Sequence, residues 1–495
     1  MSSELAEAVN SCFGLGFTSL DKEVDLNSLP VEGTIPAWLG GSLFRNGPAK
    51  FEIGDQSYSH WFDGLAMLHR YSFHQGQVSY RNRLLQTKTY QKAITSGKPG
   101  SEFATAEASS LLVRIFNLAK LMVSQQAKDG FNANVSLMRL ADHFLALTEP
   151  PAPTIFDPRS LEVGGVLQYA DKLSGQVSTP HPHYDFAHKQ YINYLIQYSR
   201  QPSYKIYRVA DNSITRHLIG SIPVNEPAYM HSFASTENYV ILTEFPFVVK
   251  PFSMMTSGKP YIENFEWKPE QGTKFRVMSK KSGELVGTFQ SEAFFAFHHV
   301  NAFEQGGDIF IDVCASPDAK GIYGGYLAKV RVAESKPGDP RARLRRYHVP
   351  LSAGASSRPD VDYEPIADEA IDLPGLNLPE YFTKAYRYTY GVSSNKARPE
   401  PPSNQLVKID VQQGTAKTWF VTGCYPGEPI FVNAPSAHTE DDGVLLSVVL
   451  DGRKGHSFLL VLDAATFEEL GRANLPHHVP FEFHGLYASD VNYRP

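Results

Sequence analysis

Three cysteines in 495 residues, Cys12, Cys314 and Cys424, are too few and too far apart for a disulfide framework or a thiolate metal site. A reducing compartment suits such a chain, and the expected location is cytoplasmic. The opening MSSELAEAVNSCFGLGFTSL lacks the charged start and unbroken apolar stretch of a secretory signal. Nowhere does an apolar run approach the roughly eighteen residues that would cross a bilayer. Excess charge is missing too: 46 Lys and Arg stand against 52 Asp and Glu, for a net charge of -6. With the basic residues scattered, nucleic acid is excluded as a partner.

What is plentiful is aromatic and β-forming sequence, with 25 Tyr and 31 Phe. HFLALTE (143–149), NYVILTEF (238–245), GDIFIDVCA (307–315), GVLLSVVLD (443–451) and HSFLLVLD (456–463) are β-rich runs of strand length. A pattern of apolar strand, polar turn and second strand recurs in TIFDPRSLEVGGVL, IYRVADNSITRHLIGSI, FRVMSKKSGELVGTF, LVKIDVQQGTAKTWFV and LLVLDAATFEELGRANL. Their turns carry the Asp, Asn, Gly and Ser that tight hairpins require. Irregular spacing, on the order of 50–70 residues with one wider gap, points to a β-propeller with long inserted loops, and a pair of sandwiches is the alternative. SSNKARPEPPSN (393–404) reads as a loop between blades, and no domain boundary is visible, so residues 1–495 are expected to form one body.

Two apolar segments stand apart. SSLLVRIFNLAKLMVSQQ (109–126) has close to a helical period and predicts an amphipathic helix, packed on its own domain or lying on a membrane. FPFVVKPFSMM (245–255) predicts an apolar loop, because two prolines disfavour a central strand.

Of the 17 histidines, His74, His217, His348 and His456 lie in polar, turn-like contexts and are expected to be solvated. His181 in STPHPHYD, His231 in PAYMHSFAST, His298 in FAFHHVNAFE and His484 in PFEFHGLY instead lie at strand ends beside aromatic or small residues. Singly, each is an ordinary structural histidine. Together, four from separate hairpins suit a metal on a propeller axis. Adjacent side chains on a strand face opposite ways, so only one of His298 and His299 can point at that axis, and alternation does not say which. Imidazoles suit Fe, Zn or Cu alike. Carboxylates should back them, fixing each ring's tautomer, and Glu149, Asp372 and Glu428 are candidates.

SLFRNGPAKFEIG (42–54), HWFDGLAMLHRYSF (60–73), PHPHYD, MHSF, FHHVNAFE, GEPIFV, EDDG (440–443) and the final FHG, in this order along nearly the whole chain, resemble the carotenoid cleavage oxygenases. The resemblance implies an all-β, seven-bladed propeller whose loop and helix cap forms an apolar tunnel to Fe(II). By position, the ligands it implies are His181 (not His183), His231, His298 (not His299) and His484. It also implies that Glu149 holds His231 and Glu428 holds His484. Asp372 stands where the family usually has Glu, one methylene longer. A bond to His298 therefore needs a closer backbone or a bridging water, with Glu369 as a weaker substitute.

The implied activity is Fe(II)- and O2-dependent cleavage of a conjugated C=C bond in a carotenoid or apocarotenoid, with membrane contact through 109–126 and 245–255. Retinoid isomerisation, stilbene cleavage and a non-catalytic binding propeller are the alternatives. No pair of polar groups to grip a stilbene phenol can be placed from the sequence. Zinc hydrolysis is disfavoured, since such sites usually have three protein ligands and a nearby base.

Overall fold

A computed structural model describes residues 12–105, 130–332, 342–351 and 360–491, so the segment 109–126 lies outside the described residues. Seven antiparallel sheets of four or more strands follow one another along the chain as the blades of a propeller. Blade 1 holds Ser42–Lys50, Leu65–His74 and Gln77–Leu84, and blade 2 runs from Ser136–Leu140 to Val163–Val166. Blade 3 runs from Val177–Ser178 to Arg216–Pro223, blade 4 from Ala234–Ser235 to Leu285–Ser291, and blade 5 from His299–Gln305 to Tyr363–Ala370. Blade 6 extends from Asp372–Gly375 to Thr415–Trp419 and blade 7 from Cys424–Pro426 to Glu469–Asn474.

Closure uses both ends of the described chain. The strand His484–Ala488 pairs with Ser42–Lys50 as the innermost strand of blade 1. Val31–Gly33 pairs with Glu469–Asn474 as the outermost strand of blade 7. Hydrogen bonds thus tie the last blade to the beginning of the chain and the first blade to its end.

The strands are apolar on both faces because each sheet packs against a neighbour on either side. Gly443–Asp451 is buried at every position after the first. One apolar cluster joins blades 1 and 2 through Phe44, Leu68, Phe144 and Phe156. Others join blades 2 and 3 (Leu145, Tyr207), blades 3 to 5 (Tyr194, Ile241, Ile311), blades 5 and 6 (Phe303, Val407), blades 6 and 7 (Leu406, Leu460) and blades 7 and 1 (Leu459, Tyr71). Burial at about 25 cal/mol per Å² of apolar area makes these seams the main source of stability.

Each of the five recurring sequence units is the outer hairpin of a blade: blades 2, 3, 4, 6 and 7. Two expectations are corrected. SSNKARPEPPSN connects Tyr388–Ser393 to Gln405–Asp410 within blade 6 and does not link blades. Residues 245–255 form a short strand, Phe247–Val248, and the start of the helix Pro251–Ser257, not a loop. The strand's partner is the short strand Glu266–Trp267, outside the main sheets, so the prolines do not interrupt a blade. No helix among the described residues is long and apolar enough to cross a membrane.

Candidate metal centre and its cavity

Every blade sends one polar side chain to the same point. In chain order these are Glu149 after the second strand of blade 2, His181 in blade 3, His231 in blade 4, His298 in blade 5, Asp372 in blade 6, Glu428 in blade 7 and His484 in the closing strand of blade 1. His298 immediately precedes, and His484 begins, an innermost strand, where a propeller's strands converge on the axis. His181, His231, His298 and His484 bring their donor atoms within 4.8 Å of one another. The Nε2 atoms of His181 and His231 are 3.0 Å apart, and those of His298 and His484 are 3.2 Å apart.

The neighbouring histidines turn elsewhere. His299 lies in the seam between blades 4 and 5, with Nδ1 2.8 Å from Ser232 Oγ and Nε2 2.7 Å from Thr243 Oγ1. His183 has Nδ1 2.9 Å from Ser235 Oγ and stacks on Phe233 at 3.9 Å between centroids. Alternation therefore resolves as His298 inward and His299 outward. His74, His217 and His348 are exposed, and His456 is half-buried.

Carboxylates stand behind three of the four rings. Glu428 Oε1 lies 2.7 Å from His484 Nδ1, and its Oε2 accepts from Arg45 at 2.6 Å and from the Gly485 N–H at 2.9 Å. Gly485 is required here, since a Cβ would lie 2.7 Å from Phe44 O and 2.8 Å from Arg45 Cδ. Asp372 bonds His298 directly, at 2.6 Å between Oδ1 and Nδ1. Around it, pairing with the next strand shifts register between Asp372 and Gly375, and Leu373 takes a φ of 47°. Glu369 plays no part and pairs with Lys396 at 2.8 Å. Glu149 Oε1 is 3.3 Å from His231 Nδ1 and also accepts from Tyr229 Oη at 2.5 Å.

Burial raises the Glu428 and Asp372 carboxyls, but His484 with Arg45 and His298 with the Leu373 N–H outweigh it, so both lie below the ordinary carboxylate range. An ionised carboxylate only accepts, so His298 and His484 donate through Nδ1 and leave Nε2 lone pairs facing each other. Burial lowers His484 to about 4 against the pull of Glu428, and lowers His181 and His231 as well. Neutral lone pairs aimed at one point repel unless a cation lies between them. Donors held to one ion by metal–nitrogen bonds of about 2.0–2.1 Å would lie about 3–4 Å apart, and the two closest pairs here are 3.0 and 3.2 Å apart. The donor set fits a metal ion.

A cavity of about 650 Å³ opens beside the histidines, within the range of about 300–1,000 Å³ usual for ligand sites. Trp61, Phe62, Phe103, Phe297, Phe481 and Phe483 line it, together with His231, His298 and His484. Ring contacts lead away from the centre, from His231 to Phe297 at 5.5 Å, Phe297 to Phe62 at 5.9 Å and Phe62 to Phe103 at 5.5 Å.

Several wall and support residues escape a reading of the sequence. Arg45 sits in the SLFRNGPA motif, but nothing local shows that it bridges Glu428 and Glu482, the latter at 3.4 Å. Tyr198 and Tyr261 line the cavity with hydroxyls 2.9 Å apart, a polar pair from a loop of blade 3 and a turn outside the blades.

A family model described as retinal pigment epithelial membrane protein matches residues 17–489. The chain is 33% identical to the chloroplastic carotenoid cleavage dioxygenase 8 homolog A of Oryza sativa subsp. japonica, over 95% of this chain and 86% of the relative. It is 31% identical to the mitochondrial carotenoid-cleaving dioxygenase of Homo sapiens, over 93% of this chain and 88% of the relative. The solved structure of cobalt-substituted Synechocystis ACO superposes with a TM-score of 0.83 at 25% identity, covering 96% of this chain and 98% of that one. Family model, relatives and fold agree: the chain belongs to the carotenoid cleavage oxygenase family and is an enzyme of the dioxygenase kind.

Proposed function

We propose that the chain holds Fe(II) through His181, His231, His298 and His484 and uses it to cleave a conjugated C=C bond of a carotenoid or apocarotenoid. One O2 and one double bond give two carbonyl fragments. The observation that carries this reading is the convergence of four imidazoles, three of them on the wall of a large aromatic cavity. Bound iron would supply the activation of O2. The chain's own residues do the rest: Glu428, Asp372 and Glu149 hold ring orientation and tautomer, so that each Nε2 keeps its lone pair for the metal. Phe62, Phe297 and Phe483 exclude water and offer an apolar polyene contact surface but few hydrogen bonds, so cavity shape selects the bond. No protein acid or base is needed in the overall balance.

The test is aerobic incubation of the iron-loaded protein with β-carotene and a long apocarotenal under labelled O2, with products read by mass. Labelled aldehyde or ketone fragments are expected. Intact polyene with stoichiometric iron would reject cleavage and move the reading to isomerisation or stilbenes. Absence of stoichiometric iron would reject the iron centre. The reading includes peripheral contact with a membrane, the source of an apolar substrate, through the helix Pro251–Ser257, where Phe252 is 78% exposed. Flotation with lipid vesicles tests it, and Phe252→Ser should reduce the bound fraction.

A further inference from the structure

The cavity is not uniformly apolar. Tyr198, buried in the loop after the second strand of blade 3, and Tyr261, in the 3-10 turn Tyr261–Asn264, meet at their hydroxyls, 2.9 Å apart. Two phenols carry two O–H donors, and the contact between them uses one. The other has no partner among the described residues. Glu102 contributes to the wall of the same cavity, and no hydrogen bond fixes its carboxyl among those residues. The Ile262 N–H donates to Phe103 O at 3.1 Å, tying the Tyr261 turn to the Glu102–Phe103 segment. The Phe103 ring lies 6.3 Å from Tyr261 and 5.9 Å from Tyr229, the residue bonded to Glu149.

An unused donor on an apolar wall costs stability unless something accepts from it. We propose that Tyr198 and Tyr261 form a subsite for the oxygen-bearing end, hydroxyl or carbonyl, of a conjugated apolar chain, and that the preferred substrate is an apocarotenoid and not a bare hydrocarbon. The inference rests on the proposed function and narrows its substrate class. The tyrosine pair therefore presents a free donor to a carbonyl and both a donor and an acceptor to a hydroxyl. Phe103 and Phe265 flank Tyr261 with apolar rings, leaving the polar group as an end stop.

The experiment measures binding, by quenching of intrinsic fluorescence, to the full-length iron-loaded protein. The probes are a long apocarotenal, its alcohol and the methyl-terminated hydrocarbon of equal length. The oxygenated probes should bind about 10-fold tighter than the hydrocarbon, the worth of one or two neutral hydrogen bonds. In Tyr198→Phe/Tyr261→Phe that ratio should fall to about 2-fold, and with turnover the cleavage position should scatter. Iron content and thermal midpoint establish that the double variant is folded. An unchanged ratio in the folded double variant, or equal binding of all three probes by the unsubstituted protein, overturns the subsite. If resveratrol, and not the apocarotenal, responds to the substitutions, the occupant is a phenolic stilbene and the apocarotenoid assignment falls. Lack of cleavage with the binding ratio intact would reject the proposed reaction and leave the subsite standing.

Discussion

The two flanks of the histidine centre are built differently. On the side of blades 7 and 1, His484 rests on Glu428 at 2.7 Å, Glu428 on Arg45 at 2.6 Å, and Arg45 also meets Glu482 at 3.4 Å. Arg45 is 1% exposed, and burial pushes Glu482 up to about 7 even against Arg45. On the side of blades 2 to 4, His231 rests on Glu149 at 3.3 Å, and the groups around that carboxylate are the hydroxyl of Tyr229 and, further along the wall, the Tyr198–Tyr261 pair. One flank is ionic and deeply buried. The other is made of neutral hydroxyls that reach the cavity. A buried ion network resists rearrangement because breaking one member strands the others. Hydroxyls rotate and exchange partners at small cost. The ionic flank is suited to fixing a ligand's position, the hydroxyl flank to receiving a variable one.

Loss of the centre itself should be the largest effect. His298→Ala should abolish metal retention and turnover, whereas His299→Ala should keep the metal and lower the melting temperature through its lost bonds to Ser232 and Thr243. Metal analysis of the purified variants checks this, and the reverse pattern would overturn the inward register of His298. Next, Arg45→Met should cost about 3–5 kcal/mol in unfolding free energy, because two buried carboxylates lose their shared cation. Denaturant titration would read it, and a loss under about 1 kcal/mol would show that the ionic flank is not a coupled network.

Smaller changes compare the flanks directly. Glu428→Gln should weaken metal affinity about 10–100-fold, and Asp372→Asn should do nearly as much, since its bond of 2.6 Å is as direct. Glu149→Gln should do less, because its contact with His231 is longer and shared with Tyr229. Competition with a chelator ranks the three, and an equal loss at Glu149 would erase the distinction between flanks.

The smallest effect is a pH dependence at Asp63, buried next to the wall residue Phe62. Burial holds Asp63 at about 7, against hydrogen bonds from Thr105 and Ala104. Between its ordinary value near 4 and about 7 the folded state keeps a proton that the unfolded state has lost, so raising the pH through this window costs stability. Asn cannot titrate. The melting temperature of the wild type minus that of Asp63→Asn should therefore fall as pH rises from about 4 to 7, and a constant difference would place the Asp63 pKa outside that window.

Much of this was legible in the sequence. Strand lengths, turn chemistry and five outer hairpins are local properties, encoded by apolar runs and the Gly, Asp and Asn between them; they favoured a propeller over a pair of sandwiches, and the family resemblance supplied its seven blades. Those outer hairpins stood out because their turns are short. In blade 5 the strands Arg343–Val349 and Tyr363–Ala370 are separated by a longer connection, and their pairing did not show. The histidine motifs, through their resemblance to a family, supplied His181, His231, His298 and His484, and Glu149 and Glu428 behind two of them.

Tertiary structure alone decided the rest. That Asp372 reaches His298 directly, at a strand with a register shift and a positive φ at Leu373, is something no side-chain inventory reveals. Arg45 meets Glu428 across 383 residues because the closing strand puts the end of the chain beside its beginning. Tyr198 and Tyr261 meet across 63 residues only because a turn outside the blades folds over the cavity. Periodicity and turn residues report on interactions between near neighbours in the chain. Contacts between distant residues are set by how the sheets close around an axis, and that closure is a property of the whole fold.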